Sequence, residues 1–334
     1  MDVIELQVKL KGILKKLLPD QKVPLALVDF PNYLNVGDNA IWLGEIDLLK
    51  ELGFEINYIC TVSSYNKAQL KKALQKNGVI LLQGGGNFGD LWMRHENLRR
   101  NVIQDFPDHQ IIQLPQSIHY ANQTELDLST EILNNHPNLT LLARDLKSFA
   151  FAKENFKSSS FLCPDMAFGI KLVSKSTSPP KYDILWLIRG DKETKNNAFQ
   201  LQVEDRNEAV SDWSSGYHSQ LDTFCSVLFR LVKKFPSSHT FTHALLLRAA
   251  TRAARMRMNY GVELLSQSKS VVTDRLHGHI ICFLLGIPHI AMDNSYGKVS
   301  GFIKTWGTGD EKFSHFASDG KEARRLSEKL VGNF

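Results

Sequence analysis

Short hydrophobic runs alternate along the chain with stretches in which apolar side chains recur every three or four positions. The runs fall at 25–30, 56–60, 79–83, 110–114, 140–143 and 161–163 in the first half, and at 184–188, 271–273 and 289–292 in the second. Segments such as 40–52, 68–75 and 279–285 have helical patterns. Hydrophobic runs separated by helices are typical of βαβ units, so we predict an α/β fold with mainly parallel sheets.

The composition changes at 174–181, where two prolines stand among serines and lysines. A segment of this kind is typical of a linker between domains, and a new hydrophobic run begins shortly after it. The length of 334 residues also fits roughly two domains. We therefore predict a Rossmann-like domain at 1–174, a linker at about 175–181 and a second Rossmann-like domain at 182–334, with a cleft between the two domains.

Residues 3–18 have apolar side chains at helical spacing with lysines between them, and Pro19 ends the pattern. The pattern predicts an amphipathic helix packed on the first domain, with a membrane-surface anchor as the alternative. Charged residues interrupt this segment from Asp2 onward, which argues against a secretory signal. No stretch approaches the roughly 18 apolar residues of a membrane-spanning helix. Because the four scattered cysteines indicate no disulfide framework, the cytoplasm is the expected compartment.

Composition excludes several classes of function. The chain is 43% hydrophobic and 22% charged, which is ordinary for a soluble globular protein. Its four cysteines are far apart and form no CxxC pair, so neither a zinc cage nor a disulfide framework is indicated. The net charge of +5 suits an anionic small substrate or an acidic membrane surface, and it is too small for a typical nucleic-acid-binding protein.

Polar residues and glycines follow the predicted strands repeatedly. They lie at 35–39, 84–87, 116–117, 144–145, 165, 189, 274–278 and 293–295. Ligands of parallel α/β sheets bind outside the carboxyl ends of the strands, where these segments are expected to meet. Turn or helix-cap chemistry explains any one of the segments, because Gly, Asn and Asp favour both. Their joint occurrence favours a site in the cleft.

The segment at 274–278 reads Asp-Arg-Leu-His-Gly and carries the strongest chemical signal. Its position after a strand and before a helix would bring Arg275, His277 and backbone N–H groups to one place, which is a typical anion site. Arg189, at the start of the same domain, would face that site. Two arginines and a histidine suit a ligand that bears both a phosphate and a carboxylate. His279 has no third metal ligand at a recognisable spacing, so we predict a packed or solvent-facing imidazole and no metal site.

Two further segments have both a structural and a functional interpretation. The sequence GGGNFG at 84–89 matches the dinucleotide fingerprint, but it follows the third predicted strand rather than the first. It is either a loop that a ligand approaches closely or a tight turn. Asp38 is either an N-cap of the following helix, together with Asn39, or a carboxylate that orients or deprotonates an acceptor hydroxyl.

A basic stripe consists of Arg248, Arg252 and Arg255 at helical spacing, with Arg257 beside them. Such a stripe is usually a solvated helix face. The alternative is a contact with a diphosphate or an anionic membrane leaflet, to which each basic residue would contribute about 1 kcal/mol.

Four short motifs follow one another along the chain: N-x-G-D-x-A at 35–40, Q-G-G-G-N-x-G-D at 83–90, A-R-D-x-x-S at 143–148 and T-D-R-L-H-G at 273–278. Together they resemble the polysaccharide pyruvyl transferase family, over roughly residues 30–305. The resemblance implies a GT-B-like fold of two Rossmann-like domains with a central cleft. It also implies transfer of pyruvate from phosphoenolpyruvate (PEP) to a pair of sugar hydroxyls, as a ketal, in exopolysaccharide, capsule or cell-wall glycan biosynthesis.

The resemblance further implies roles for individual residues. The PEP-binding positions are Arg189, Arg275, Leu276 (through its backbone) and His277, and the expected acceptor positions on the first domain are Asn35, Asp38, Gly85, Gly86 and Asn87. Many family members carry a second acid directly after the Gly-Asp pair, where this chain has Asn39. Asp38 would therefore act alone as the acceptor-side base.

The mechanism that the resemblance implies begins with protonation of the PEP methylene carbon. One hydroxyl then adds, phosphate leaves, and the second hydroxyl closes the ring. Arg189 and Arg275 would hold the phosphate and carboxylate and offset the charge that develops on the leaving group. His277 would donate the proton or bind the phosphate, and Asp38 would activate the acceptor. We therefore expect His277, Arg275 and Asp38 to be catalytic, with no metal and no cofactor beyond the donor substrate.

The expected acceptor is a sugar or a lipid-linked oligosaccharide, and the latter would bring the protein to the inner membrane leaflet. One alternative is a GT-B glycosyltransferase in which Arg275 and His277 contact the diphosphate of a nucleotide sugar. A second alternative is a carbohydrate-binding scaffold without activity. The concentration of Arg, His and Asp at strand ends argues against a scaffold, because a pure binder would present aromatic side chains to sugars.

Overall fold

Two parallel sheets, one in each half of the chain, form the framework of the protein in a computed structural model. The structure describes residues 1–20, 22–171, 174–175, 177–190, 207–213, 217, 219–234, 239–294, 296–308 and 312–332. The two sheets, with helices around them and a cleft between them, confirm the predicted α/β class and its GT-B-like arrangement. Residue 176 of the predicted linker lies outside the described residues, and the domain boundaries stay a prediction.

The first half builds a sheet of seven described strands, all parallel. Its elements are α1 (Val3–Leu17), β1 (Leu25–Val28), α2 (Val36–Glu51), β2 (Ile56–Cys60), α3 (Lys67–Leu74), β3 (Val79–Leu82), β4 (Gly85–Gly89), α4 (Met93–Asp105), β5 (Gln110–His119), α5 (Gln123–Asn134), β6 (Leu139–Ala143), α6 (Leu146–Asn155) and β7 (Ser159–Leu162). The strand order is β2-β1-β3-β5-β6-β7, and β4 pairs with β5. The order reverses between β1 and β3, and such reversals are where α/β sheets bind ligands.

The second half builds a sheet of five described strands in the order β12-β11-β10-β8-β9, also parallel. Its elements are β8 (Tyr182–Leu187), β9 (Glu208–Ser211), α7 (Gln220–Lys234), α8 (His239–Ser266), β10 (Ser268–Thr273), α9 (Leu276–Leu285), β11 (His289–Ala291), α10 (Lys298–Trp306), β12 (Ser314–Phe316) and α11 (Gly320–Gly332). Here the order reverses between β8 and β10, so a second ligand position is expected at their carboxyl ends.

Helix α1 belongs to the core of the protein. It begins with a capping box, in which Asp2 and Glu5 each accept a hydrogen bond from the other's backbone N–H. Leu6, Leu10 and Leu14 lie on one face and have no exposed surface. The packed interpretation of this helix is therefore confirmed over that of a free membrane-surface anchor.

The structure differs from the sequence prediction in two strands next to the cleft. β5 continues to His119 rather than ending at 114, and its register with β6 shifts between Gln113 and Gln116, where Pro115 cannot donate to a neighbouring strand. The segment Gly85–Gly89, predicted to be a loop or a turn, is an extended strand beside β5. Gly86 and Asn87 of β4 line the cleft.

Helices from the two halves pack together and hold the sheets in place. α2, from the first half, contacts α8 and α9, from the second. The main hydrophobic cluster accordingly contains buried residues of both sheets, among them Leu27 and Leu185. This shared core presents the carboxyl ends of both sets of strands to the same cleft.

Candidate active site

A cleft of about 1640 Å³ lies between the two halves. Asp38 and Gly86 of the first half line it, and so do Arg189, Arg275 and His277 of the second. Among the described residues that line it, seven are lysines or arginines and four are aspartates. An excess of positive charge in a partly enclosed cleft attracts anionic ligands. The cleft is therefore suited to substrates that carry phosphate or carboxylate groups.

Arg189 and Arg275 stand after neighbouring strands, where the strand order of the second sheet reverses. Leu187 at the end of β8 pairs with Thr273 at the end of β10, and each arginine follows two residues later. Both side chains line the cleft. The register of the sheet thus brings the two arginines together at the position where α/β sheets bind ligands.

The N-terminus of α9 lies in the same place and adds backbone donors. Arg275 is its N-cap residue, and no described side chain caps the helix. Leu276 and His277 occupy the first two helical positions, where backbone N–H groups have no partner within a helix. These N–H groups and the positive end of the helix dipole favour phosphate binding. The backbone N–H of Leu276 is therefore placed to bind an anionic ligand.

Two aspartates position the arginines. The Nε of Arg275 donates to Oδ1 of Asp212 at 2.6 Å, which orients the plane of the guanidinium group. The backbone N–H of Arg189 donates to Oδ1 of Asp274 at 2.9 Å. Burial raises the pKa of Asp274 to about 6, although the Arg189 N–H and both guanidinium groups act in the opposite direction. Asp274 therefore takes up a proton just below neutral pH.

His277 is held by a buried carboxylate of the first half. Its Nε2 lies 3.3 Å from Oδ2 of Asp165, a residue with no exposed surface, and Arg144 donates to the same oxygen at 2.8 Å. Burial alone would raise the pKa of Asp165, but His277, Arg144 and the Ala167 N–H outweigh it and hold the pKa below its usual range. The buried carboxylate therefore orients the imidazole of His277 at the cleft.

The first turn of α2 packs directly on the imidazole of His277. A Cβ atom at Gly37 would lie 2.5 Å from Nδ1 of His277, so a larger residue would displace the ring. Because α2 belongs to the first half and α9 to the second, this contact joins the two sides of the cleft. The motif at 35–40 therefore contacts the predicted donor side of the cleft as well as forming part of the predicted acceptor side.

Asn35 and Asp38 both line the cleft, but their local roles differ from the prediction. Asn35 is the N-cap of α2, because its Oδ1 accepts hydrogen bonds from the N–H groups of Gly37 at 3.0 Å and Asp38 at 3.4 Å. The interpretation of Asp38 and Asn39 as helix caps is therefore wrong. Oδ2 of Asp38 instead accepts a hydrogen bond from the Tyr33 hydroxyl at 2.9 Å, which leaves Asp38 as a carboxylate in the wall of the cleft.

Asn39 points into the protein interior. It has no exposed surface, and its Nδ2 donates to the carbonyl groups of Tyr33 at 3.1 Å and Asn35 at 2.8 Å. Its Oδ1 accepts a hydrogen bond from Arg257 at 3.2 Å, and Arg257 is itself buried. A second acid at position 39 would therefore lie in the interior against Arg257, whereas Asp38 lines the cleft.

The basic stripe on α8 is not one continuous surface. Arg257 is only 1% exposed and belongs to the interior. Arg255 is partly buried and pairs with Asp47 of α2 at 3.2 Å. Arg248 and Arg252 are the exposed members. The stripe therefore divides into structural and solvent-facing residues.

The glycine segment favours the close-approach interpretation. Gly85 has a φ of +131°, a conformation that favours glycine, and it lies buried beside Asp38. A Cβ atom at Gly86 would lie 2.9 Å from Nη2 of Arg144 and 3.4 Å from Nζ of Lys298. The missing side chain at Gly86 therefore lets two cations approach the wall of the cleft.

Asn87 lines the cleft but is also tied to the sheet behind it. Its Oδ1 accepts hydrogen bonds from Gln116 at 2.8 Å and from Arg99 at 2.9 Å. Arg99 in turn pairs with the buried Glu96, which also accepts the Gly89 N–H. A hydrogen bond from the Asn87 side chain to an acceptor sugar would therefore have to come from its NH₂ group.

His279 is packed in the interior, which is one of the two positions predicted for it; the other was a solvent-facing imidazole. Its Nδ1 lies 2.8 Å from Nε2 of His289, and its Nε2 lies 2.8 Å from the Thr308 hydroxyl. Burial lowers the pKa of both imidazoles, to about 4 for His289.

Among the described residues, no group of three or more His, Cys, Asp or Glu side chains is arranged to hold a metal ion. None of the described helices is long and apolar enough to cross a membrane.

Among the residues around the site that the sequence did not single out as candidates are Arg144, Asp165, Asp212 and Lys298. Arg144 and Asp165 follow predicted strands, but the strand-end position alone does not distinguish a functional side chain from a turn residue. Asp212 follows β9, whose sequence Glu-Ala-Val-Ser lacks the hydrophobic run that predicts a strand. Lys298 begins α10 and reaches the carbonyl oxygen of Gly86 at 3.4 Å. No local pattern indicates this contact.

Comparison with known proteins agrees with the motifs and the cleft. A sequence model of the polysaccharide pyruvyl transferase family matches residues 35–296. Pyruvyl transferase 1 of Schizosaccharomyces pombe is 32% identical over 292 residues, which cover 84% of this chain and 69% of that protein. EpsO of Bacillus subtilis, provisionally named a pyruvyl transferase, is 32% identical over 305 residues, which cover 91% of each chain.

The fold is also shared with a solved structure. A functionally uncharacterised protein of Klebsiella pneumoniae superposes with a TM-score of 0.60 at 18% identity, and the match covers 94% of this chain and 99% of that chain. The family match spans the motifs from Asn35 to His277 that line the cleft. The chain therefore belongs to the polysaccharide pyruvyl transferase family.

Proposed function

We propose that the protein transfers pyruvate from PEP to two hydroxyls of one sugar, as a ketal, in the biosynthesis of an exopolysaccharide, capsule or cell-wall glycan. The observation that supports this best is the convergence of Arg189, Arg275 and the N-terminus of α9 at one reversal point of the second sheet. Guanidinium groups and helix N–H groups match the phosphate and carboxylate of PEP. Asp38, on the other side of the cleft, would face the acceptor.

In the proposed reaction, His277 donates a proton to the methylene carbon of PEP, which becomes a methyl group and leaves C2 electrophilic. One acceptor hydroxyl adds to C2 and gives its proton to Asp38. The bond between C2 and the phosphate oxygen breaks, and Arg189 and Arg275 stabilise the charge on the departing phosphate. The second hydroxyl adds to C2 and closes the ring, and its proton leaves with the phosphate. The arginines supply the positive charge, so we propose that the reaction needs no metal and no cofactor.

The proposed function is tested by incubating the purified protein with PEP and a panel of glycosides that carry neighbouring hydroxyl pairs. We expect release of inorganic phosphate, together with an acceptor mass increased by one pyruvate minus one water. PEP should also raise the unfolding temperature, because a ligand at 100 times its Kd stabilises the native state by about 2.7 kcal/mol. Thermal stabilisation by nucleotide sugars but not by PEP would contradict the proposal and support a glycosyltransferase.

We further propose that the acceptor is lipid-linked and that α7 brings the cleft to an anionic membrane. Phe224, Val227 and Leu231 lie on one face of α7 and are 49%, 43% and 46% exposed. Arg230 and Lys233 are exposed beside them and, with Val227 and Leu231, line the cleft. A helix with an exposed apolar face and flanking basic residues binds anionic membrane interfaces. This surface lies at the cleft, unlike the arginine stripe on α8.

Sedimentation with vesicles tests this membrane contact. At low salt we expect vesicles containing an anionic lipid to bind more protein than purely zwitterionic ones. Leu231→Glu should lower the bound fraction, because it places a negative charge in the apolar face. Leu128→Glu is the matched control, since Leu128 is 44% exposed on α5 and does not line the cleft. Equal binding by the two variants would contradict the proposed contact.

A further inference from the structure

Asp29 combines several features that a structural residue does not need. It directly follows β1, at the reversal point of the first sheet, which is the counterpart of the arginine position in the second sheet. Its φ of +84° is unfavourable for a residue with a Cβ atom. The residue is 8% exposed, and its Oδ1 has no hydrogen-bond partner among the described residues. Such strain and unmet hydrogen-bonding capacity cluster at functional sites.

The other carboxylate oxygen of Asp29 binds a histidine. The Nδ1–H of His95, on α4, donates to Oδ2 of Asp29 at 2.6 Å, and both residues line the cleft. The ring of His95 lies edge-on to that of Tyr33, with 6.3 Å between ring centroids. Tyr33 in turn donates its hydroxyl hydrogen to Asp38. The Asp29–His95 pair is therefore next to the carboxylate that the proposed function uses as a base.

We infer that His95, oriented by Asp29, is a second acceptor-side base that takes the proton of the hydroxyl that closes the ketal ring. The inference rests on the proposed function, because a ketal requires two hydroxyls of one sugar to lose their protons. With Nδ1–H donated to Asp29, the lone pair on Nε2 is the basic atom of the ring. Nε2 passes the proton to the departing phosphate. The hydroxyl that adds first loses its proton to Asp38, and the PEP methylene carbon gains one from His277, so the protons balance.

A purely structural ion pair explains the geometry less well. Asp145, a buried carboxylate at the start of α6 that does not line the cleft, is structural and uses both of its oxygens: Oδ1 accepts the Ser148 N–H at 2.8 Å and Oδ2 accepts from the Ser117 hydroxyl at 2.7 Å. Asp29 uses one oxygen on His95 and keeps the other without a partner among the described residues, beside the cleft. A carboxylate that orients an imidazole for proton transfer needs only one of its oxygens for that bond. We therefore assign Asp29 a positioning role and His95 the contact with the acceptor.

The partition of PEP between ketal and free pyruvate tests the inference. When the second hydroxyl keeps its proton, water adds to C2 instead, and the adduct breaks down to pyruvate and unchanged acceptor. His95→Gln is therefore expected to lower the ratio of ketal to pyruvate, and kcat for ketal formation about 10²-fold. The KM for PEP should change little, because the donor-binding arginines are untouched. Asp29→Asn, which is nearly isosteric, should shift the ratio in the same direction by a smaller factor.

His109→Gln is the matched control, because it removes a partly exposed imidazole that bonds to the Gln75 carbonyl outside the cleft. It should leave both the product ratio and kcat unchanged. A wild-type ratio and rate in His95→Gln and Asp29→Asn would overturn the inference and leave the proposed function standing. An equal loss of both products, at an unchanged ratio, would also overturn it, since the pair would then be structural. Wild-type protein that consumes no PEP with any diol would contradict the proposed function itself.

Discussion

Alanine in place of Arg275 is expected to lower kcat/KM for PEP by at least about 10³-fold, the largest effect of the substitutions considered. Arg275 stands at the reversal point of the second sheet, next to the N-terminus of α9, and the Asp212 carboxylate orients its guanidinium group. The group is therefore already in place when negative charge develops on the departing phosphate. Preorganised charge of this kind acts mainly on the transition state, so kcat should fall as well as PEP affinity.

Arg275→Lys separates charge from geometry. Lysine keeps the positive charge but has no planar fork to match the phosphate and the carboxylate, so it should recover only a small part of the lost activity. Arg255→Ala is the control, because it breaks an arginine–aspartate pair with Asp47 that does not line the cleft. The readouts are phosphate release and the rise in unfolding temperature with PEP. Near-normal turnover in Arg275→Ala would remove this residue from the proposed mechanism.

The second large effect is expected for His277→Gln, which should lower kcat by about 10²- to 10³-fold. Glutamine keeps a polar side chain at the start of α9, but its amide N–H groups are too weakly acidic to protonate carbon. PEP-induced thermal stabilisation should largely remain, because Arg189, Arg275 and the helix N–H groups are unchanged. Loss of turnover with retained PEP binding would distinguish a proton donor from a phosphate ligand. Loss of both in equal measure would show that His277 acts mainly in binding.

Gly37→Ala tests the same histidine without changing it. The new Cβ atom would lie 2.5 Å from Nδ1 of His277 and displace the ring from Asp165, so kcat should fall even though every proposed catalytic residue is present. Gly12→Ala is the matched control, since a Cβ atom there meets nothing within 4 Å on α1. An unchanged kcat in Gly37→Ala would mean that the position of the ring does not limit the reaction.

Strand ends account for most of what could be predicted about the site. Arg189, Arg275 and His277 each follow a hydrophobic run, and the strand-end rule selected them without knowledge of the sheet order. Asp29 escaped the same rule, because the hydrophobic run at 25–30 continues through Phe30 and hides the point where β1 ends. The chain turns at Asp29 with a positive φ, which only a backbone conformation reveals.

The alternation of hydrophobic runs and helical patterns was sufficient for the fold class, because a buried parallel strand and its crossover helix each require a particular local spacing of apolar residues. The same spacing located the polar strand ends and hence the residues proposed to bind the donor. Long-range contacts have no local signature. His95 pairs with Asp29 across 66 positions within the first half, whereas His277 pairs across 112 positions with Asp165 of the other half. The first pair forms only once β1 and α4 are in place, and the second only once the two halves have packed together. The geometry proposed for proton transfer therefore depends on long-range packing, whereas the residues proposed to bind the anionic donor could be predicted from local sequence.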